Sequence, residues 1–63
     1  MSRTDKQLAG DQRRTLRSMT ARLLRMADAW DGVDEFNRMQ LNELADQAER
    51  VGVDMVAEAN DAP

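Results

Sequence analysis

The sequence predicts an all-α fold, a two-helix antiparallel hairpin that pairs into a homodimeric four-helix bundle. Three observations point there. Apolar residues recur at Leu16, Met19, Leu23, Met26 and Trp30, a 3, 4, 3, 4 spacing that forms a heptad seam along one helix. One interruption, Trp30-Asp31-Gly32-Val33-Asp34-Glu35, divides the chain into two helical runs. No stretch alternates apolar and polar residues with the period of a strand.

The first helix is expected over about residues 5–30. Thr4 and Gln7 have the spacing of a capping box, and Asp11 is a second candidate cap. Gly10 falls between a first turn and the main run, and as a helical residue it costs about 1 kcal/mol relative to Ala. Leu24 and Ala27 widen the seam. Each residue turns the helix by about 100°, which puts Arg14, Ser18, Arg22 and Arg25 on the opposite face and Arg13 and Arg17 on a flank.

The turn is expected at 31–33. Gly32 can adopt positive φ and stop the first helix, and Asp31 or Asp34 can cap the second. A break this short joins antiparallel neighbours.

The second helix is expected over about 34–51, with a stripe of Val33, Phe36, Leu44, Ala48 and Val51 and with Leu41 and Ala45 on its edge. Gln40 interrupts the stripe, and Met39 lies off it, at the surface. Gly52 reads as a C-cap, with Arg50 suited to the helix C-terminus. A short extension at 53–57 returns Met55 to the stripe. Residues 58–63 are small and polar and are expected to form a mobile tail.

Composition excludes several functions. The 63 residues form a single domain, 1–63, with 9 Lys+Arg, 12 Asp+Glu and a net charge of −3. There is no Cys and no His, which excludes a zinc finger, a disulfide framework, a thiol nucleophile, an imidazole base and a haem ligand. Ser2 and Ser18 have no motif to activate them, and the three glycines are too scattered for a phosphate loop. Asp31, Asp34 and Glu35 gather at the turn without calcium-loop spacing, and acids at a helix start are usually caps. The expectation is no enzyme, no cofactor and no metal. No apolar run approaches the ~20 residues of a membrane span, and no apolar stretch follows the first residues, so a cytoplasmic protein is expected.

A chain this short rarely draws more than about 3–5 kcal/mol from its own core, so a partner is the usual remaining support. The apolar positions Leu16, Met19, Leu23, Met26, Trp30, Phe36, Leu44 and Val51 are therefore read as core or dimer interface. Residues 1–30 carry net +4 and residues 31–63 net −7. Such asymmetry fits two helices that attract each other, and also a nucleic-acid face with an acidic tail. Arg14, Ser18, Arg22, Arg25 and Met39 are the candidate partner or nucleic-acid face. No aromatic residue interleaves with these arginines for base stacking. Trp30 suits either the closed end of a bundle or a binding hot spot.

The segment Leu16-Arg17-Ser18-Met19-Thr20-Ala21-Arg22-Leu23-Leu24 resembles the Rop-type plasmid copy-number regulators, with the match carried by Arg17 to Leu24. That resemblance implies a homodimeric four-helix bundle that binds paired RNA stem-loops through lysines, amides and one aromatic on its first helix. In this sequence the aromatic position falls on Thr15, amide positions on Met19 and Asp11, and a lysine position on Met26. None keeps the contacting chemistry, so the resemblance bears on architecture more than on RNA binding. Leu41-Asn42-Glu43-Leu44-Ala45-Asp46 is similar to part of the short helical hairpins of sporulation phosphatases. Three functions follow as expectations. The first is a non-enzymatic regulator, inhibitor or adaptor, phage- or plasmid-encoded, that binds a protein through a helical face. The second is an RNA- or DNA-binding regulator that uses the Arg face. The third is a small structural subunit of a larger assembly.

Overall fold

Local chemistry fixes where each helix starts and stops. The computed structural model describes residues 4–61, in which α1 spans Asp5–Ala29 and α2 spans Glu35–Asp61. At the start of α1 the Thr4 hydroxyl accepts the Gln7 N–H at 3.1 Å, and the Gln7 side chain accepts the Thr4 N–H at 3.2 Å. This is the expected capping box. Asp11 lies inside the helix, where its carboxylate pairs with Arg14.

The chain reverses over residues 30–34. Trp30 and Asp31 donate their N–H groups to the carbonyls of Ala27 and Asp28, and Gly32 takes φ of +74°. That conformation strains any residue with a Cβ, which explains glycine here. Asp34, of the two candidates, caps α2. Its carboxylate accepts the N–H groups of Phe36 at 3.0 Å and Asn37 at 3.1 Å.

α2 continues through Gly52 to Asp61, past the end expected at 51. The 53–57 extension and residues 58–61 of the expected tail are part of it, while 62 and 63 lie outside the described residues. Gly52 is not a C-cap because it is buried against α1. A Cβ there would sit 3.0 Å from both Cδ and Nη1 of Arg13. The glycine stands where another side chain needs room.

The contact between the helices also differs from the expected seam. Ala9 and Ala27 of α1 and Ala45 and Gly52 of α2 are all buried, at successive levels along the contact. Leu16, Thr20, Leu23, Leu41 and Ala48 flank them, half-buried. Leu16 and Leu23 thus keep their expected place. Met19 and Met26 are replaced in the seam by Thr20 and Ala27, one position along, and are about half exposed. In α2 the expected edge residues Leu41 and Ala45 form the seam, while Phe36, Leu44 and Val51 are exposed. Small side chains let two helix backbones approach, and bulky ones do not, so close packing selects alanine and glycine here.

Arg13 spans this seam. It donates to the Glu49 carboxylate at 2.6 Å and to the Glu49 backbone carbonyl at 3.2 Å. Thr20 returns its hydroxyl to the Leu16 carbonyl at 2.8 Å, so its polar atom is satisfied within α1. The result is a layer one helix deep, with Cα extents of 48 × 20 × 10 Å.

The two helical glycines predict opposite outcomes. Gly10 has open space where a Cβ would go, so Gly10→Ala should stabilise by about 1 kcal/mol through helix propensity. Gly52→Leu should destabilise by about 1–3 kcal/mol by overpacking the seam and displacing Arg13. Urea denaturation of both variants measures this, and equal effects would refute the close approach at Gly52.

Candidate interaction face

Three sets of residues form the candidate surfaces. The first is apolar and follows from the seam. With the Ala/Gly contact facing inward, the 100° step puts Leu8, Met19, Met26 and Trp30 on one flank of α1. The same step puts Leu44, Val51 and Met55 on the equivalent flank of α2. In an antiparallel pair, equivalent flanks lie on the same side. Leu8 and Met55 accordingly line one open groove of about 330 Å³ with Ala9, Gln12 and Ala59.

This side of the hairpin is poor in charge. Gln12, Thr15, Asn37, Gln40 and Gln47 fill the spaces between its apolar residues, Arg22 sits towards its outer edge, and Asp5 and Glu58 line its groove beside Leu8 and Met55. The other side carries Arg17, Asp28, Asp46 and Arg50 around Leu24 and Val53. In a chain that is 33% charged, a face whose charges are confined to its groove end and its outer edge is a marked asymmetry. Met19 is 50%, Met26 47% and Leu44 49% exposed on this side.

The second set is basic. Arg14, Ser18, Arg22 and Arg25 are exposed on the edge of α1 that faces away from α2. Arg14 is engaged with Asp11, so Arg22 and Arg25 carry most of the available positive charge. Met39, grouped with these arginines on sequence grounds, lies on the far edge of α2 and is 55% exposed. The two edges belong to opposite sides of the layer and make no common face.

The third set is the ionic contacts. Arg13 holds the Glu49 carboxyl below its ordinary value, chiefly through its hydrogen bond, against desolvation, with the charges of Arg13 and then Arg17 adding to the lowering. Glu35 is lowered chiefly by Arg38, which donates at 2.7 Å, and then by the Gly32 N–H at 3.3 Å. These pairs brace the seam and the turn. Among the described residues no group of three or more carboxylates is placed to hold a metal ion. No helix of the described residues is long and apolar enough to cross a membrane.

The turn, the Thr4–Gln7 box and the exposed arginines lie where the sequence puts them, Asp34 is one of its two candidates for the second cap, and its Gly52 cap is not one. Sequence reasoning missed the contribution of Leu8 to the apolar face, and the Arg13–Glu49 contact. The signal for the contact was present as Arg13, Glu49 and Gly52, but only the antiparallel register makes these three meet. Compared with protein-family models, with curated proteins and with solved structures, the chain matches none.

The pH dependence follows from the two lowered carboxyls. A carboxyl held below its unfolded value adds stability that is complete above that value and is lost as pH falls through the folded one. With the ordinary value at 4.5, the hairpin should lose stability as pH drops below that point. Glu49→Gln should flatten part of this acid limb, as read by circular dichroism between neutral pH and pH 2–3. An unchanged limb would show that the Arg13–Glu49 contact adds nothing to stability.

Proposed function

We propose that the chain is a small non-enzymatic interaction protein, a regulator or adaptor. In this reading it acts in the cytoplasm as a homodimeric four-helix bundle and binds a protein partner through a helical face. The observation that carries the reading is the charge-poor apolar face shared by α1 and α2. Met19, Met26, Leu44 and Val51 are each about half exposed on it, although buried anchors of this kind stabilise small helical domains.

Exposed area supports the same conclusion. The chain exposes 5049 Å², about 1,000 Å² more than a folded monomer of 7.1 kDa is expected to show. A standard interface covers about 800 Å² per partner. The excess is therefore the size of one protein–protein contact. A layer one helix deep has this excess because each helix has a neighbour on only one side.

A second reading, nucleic-acid binding, is favoured by the exposure of Arg22 and Arg25 on one edge. The two readings differ in their response to salt. Phosphate contacts weaken steeply as salt rises, and Arg22→Ala with Arg25→Ala would reduce that slope. Apolar contacts with a protein respond much less.

Sedimentation equilibrium at tens of micromolar should return about twice the 7.1 kDa chain mass. Met26→Glu should shift the protein towards monomer and lower its melting temperature, since it places a charge in the face to be buried. A wild-type monomer that melts cooperatively would overturn the homodimer reading.

A further inference from the structure

The apolar face can meet a second copy in two ways that close on themselves. In one, the two-fold axis runs along the hairpin, the turns share an end, and each α1 faces the α2 of the other copy. In the other, the axis lies across the hairpin, the turn of one copy sits beside the chain ends of the other, and like helices face each other. Both bury the same residues, so burial does not choose between them. Charge does.

α1 carries six basic and three acidic residues over Asp5–Ala29, net +3. α2 carries two basic and seven acidic residues over Glu35–Asp61, net −5. We propose that the second copy docks with turns at the same end, so that each basic α1 is flanked by two acidic α2 helices. This rests on the homodimer reading and goes beyond it, because it fixes which helices touch. The opposite arrangement sets the two helices of net +3 side by side and the two of net −5 side by side.

The register makes the complementarity specific. Arg13 lies beside Glu49 and Leu8 shares a groove with Met55, which places Arg22 level with Leu41 along the hairpin axis. A two-fold axis along the hairpin leaves that level unchanged. Arg22, at the outer edge of the face on α1, then comes within about one helical turn of Glu43 of the second copy. Turn-to-turn docking also brings Asp28, Asp31 and Asp34 of both copies to one end. That cost is confined to the exposed tip, where Arg38 already sits in the field of Asp31 and Asp28 and where salt screens charges over about 8–10 Å. The favourable contrast covers the middle of both helices and ends at the groove, where Asp5 and Glu58 are both acidic.

The arrangement bears on function. With each α1 between two α2 helices, the Arg22 and Arg25 edges of the two copies are separated by acidic helices and never merge. The opposite arrangement would join them into one basic face, the geometry that suits a nucleic acid.

The chain has no cysteine, so one label can be introduced cleanly. Val33 is in the turn, 73% exposed and uncharged, so Val33→Cys leaves the charge pattern intact. Spin labels on the dimer should lie about 20 Å apart, a bundle's width, when the turns share an end. They should lie about 40 Å apart, a helix length, when the copies run head to tail. As a second measurement, Arg22→Glu and Glu43→Arg should each weaken dimerisation about two- to fivefold, and the double variant should recover it. A dimer with the short distance and with recovery supports the proposal. A dimer with the long distance overturns it and leaves the homodimer reading standing. A monomeric protein overturns both.

Discussion

The close approach of two helices through Ala9, Ala27, Ala45 and Gly52 is the constraint from which the rest of the hairpin follows. Methyl groups and a bare backbone take the most buried positions, with Leu16, Leu23, Leu41 and the stem of Arg13 beside them, so the other large side chains are left outside. Met19, Met26, Leu44 and Val51 must then lie to the side. A larger protein would cover such residues with further elements of its own. This chain has two helices, and its largest apolar side chains are left at the surface for geometric reasons, in spite of their hydrophobicity. The apolar flank and the tight seam are two aspects of one packing decision.

Legibility of the sequence divides along the same line. Thr4 with Gln7, Gly32 and Asp34 act through hydrogen bonds and dihedral angles within a few residues, so their roles can be read without a fold. The seam cannot. A heptad through Leu16 and Leu23 is completed equally well by Met19 and Met26 or by Thr20 and Ala27. Hydrophobicity favours the methionines, while interaxial distance favours the smaller pair. Leu41 and Ala45 pose the same choice in α2. Gly52 is a case where local chemistry misleads. Glycine after a valine and an arginine resembles a helix end, yet here it provides room for a side chain from the other helix.

The candidate surfaces are legible to different degrees for a related reason. The arginines of α1 lie away from any neighbour, so periodicity alone places them on a common edge. Their separation from Met39 is a tertiary fact, because it depends on which way α2 faces. The charge-poor side of the hairpin is composed of residues from both helices, and it becomes visible only when the flanks are assigned to one side. Charge absence is a distributed property that a linear scan for motifs passes over. Here it distinguishes the two sides of the layer more sharply than any single residue does.

The meeting of Arg13, Glu49 and Gly52 has a consequence for inheritance. Arg13 is far in the chain from Glu49 and Gly52, which lie one turn apart on α2, but the three share one volume and one ion pair. A larger residue at position 52 fits only if position 13 shortens, and a shorter residue at 13 leaves Glu49 without its donor. Related sequences should therefore change these positions together, either keeping the arginine, the acid and the glycine or exchanging all three for a set of small apolar residues. Two helices whose seam is otherwise made of apolar and small side chains would carry much of their alignment in that one correlated triplet.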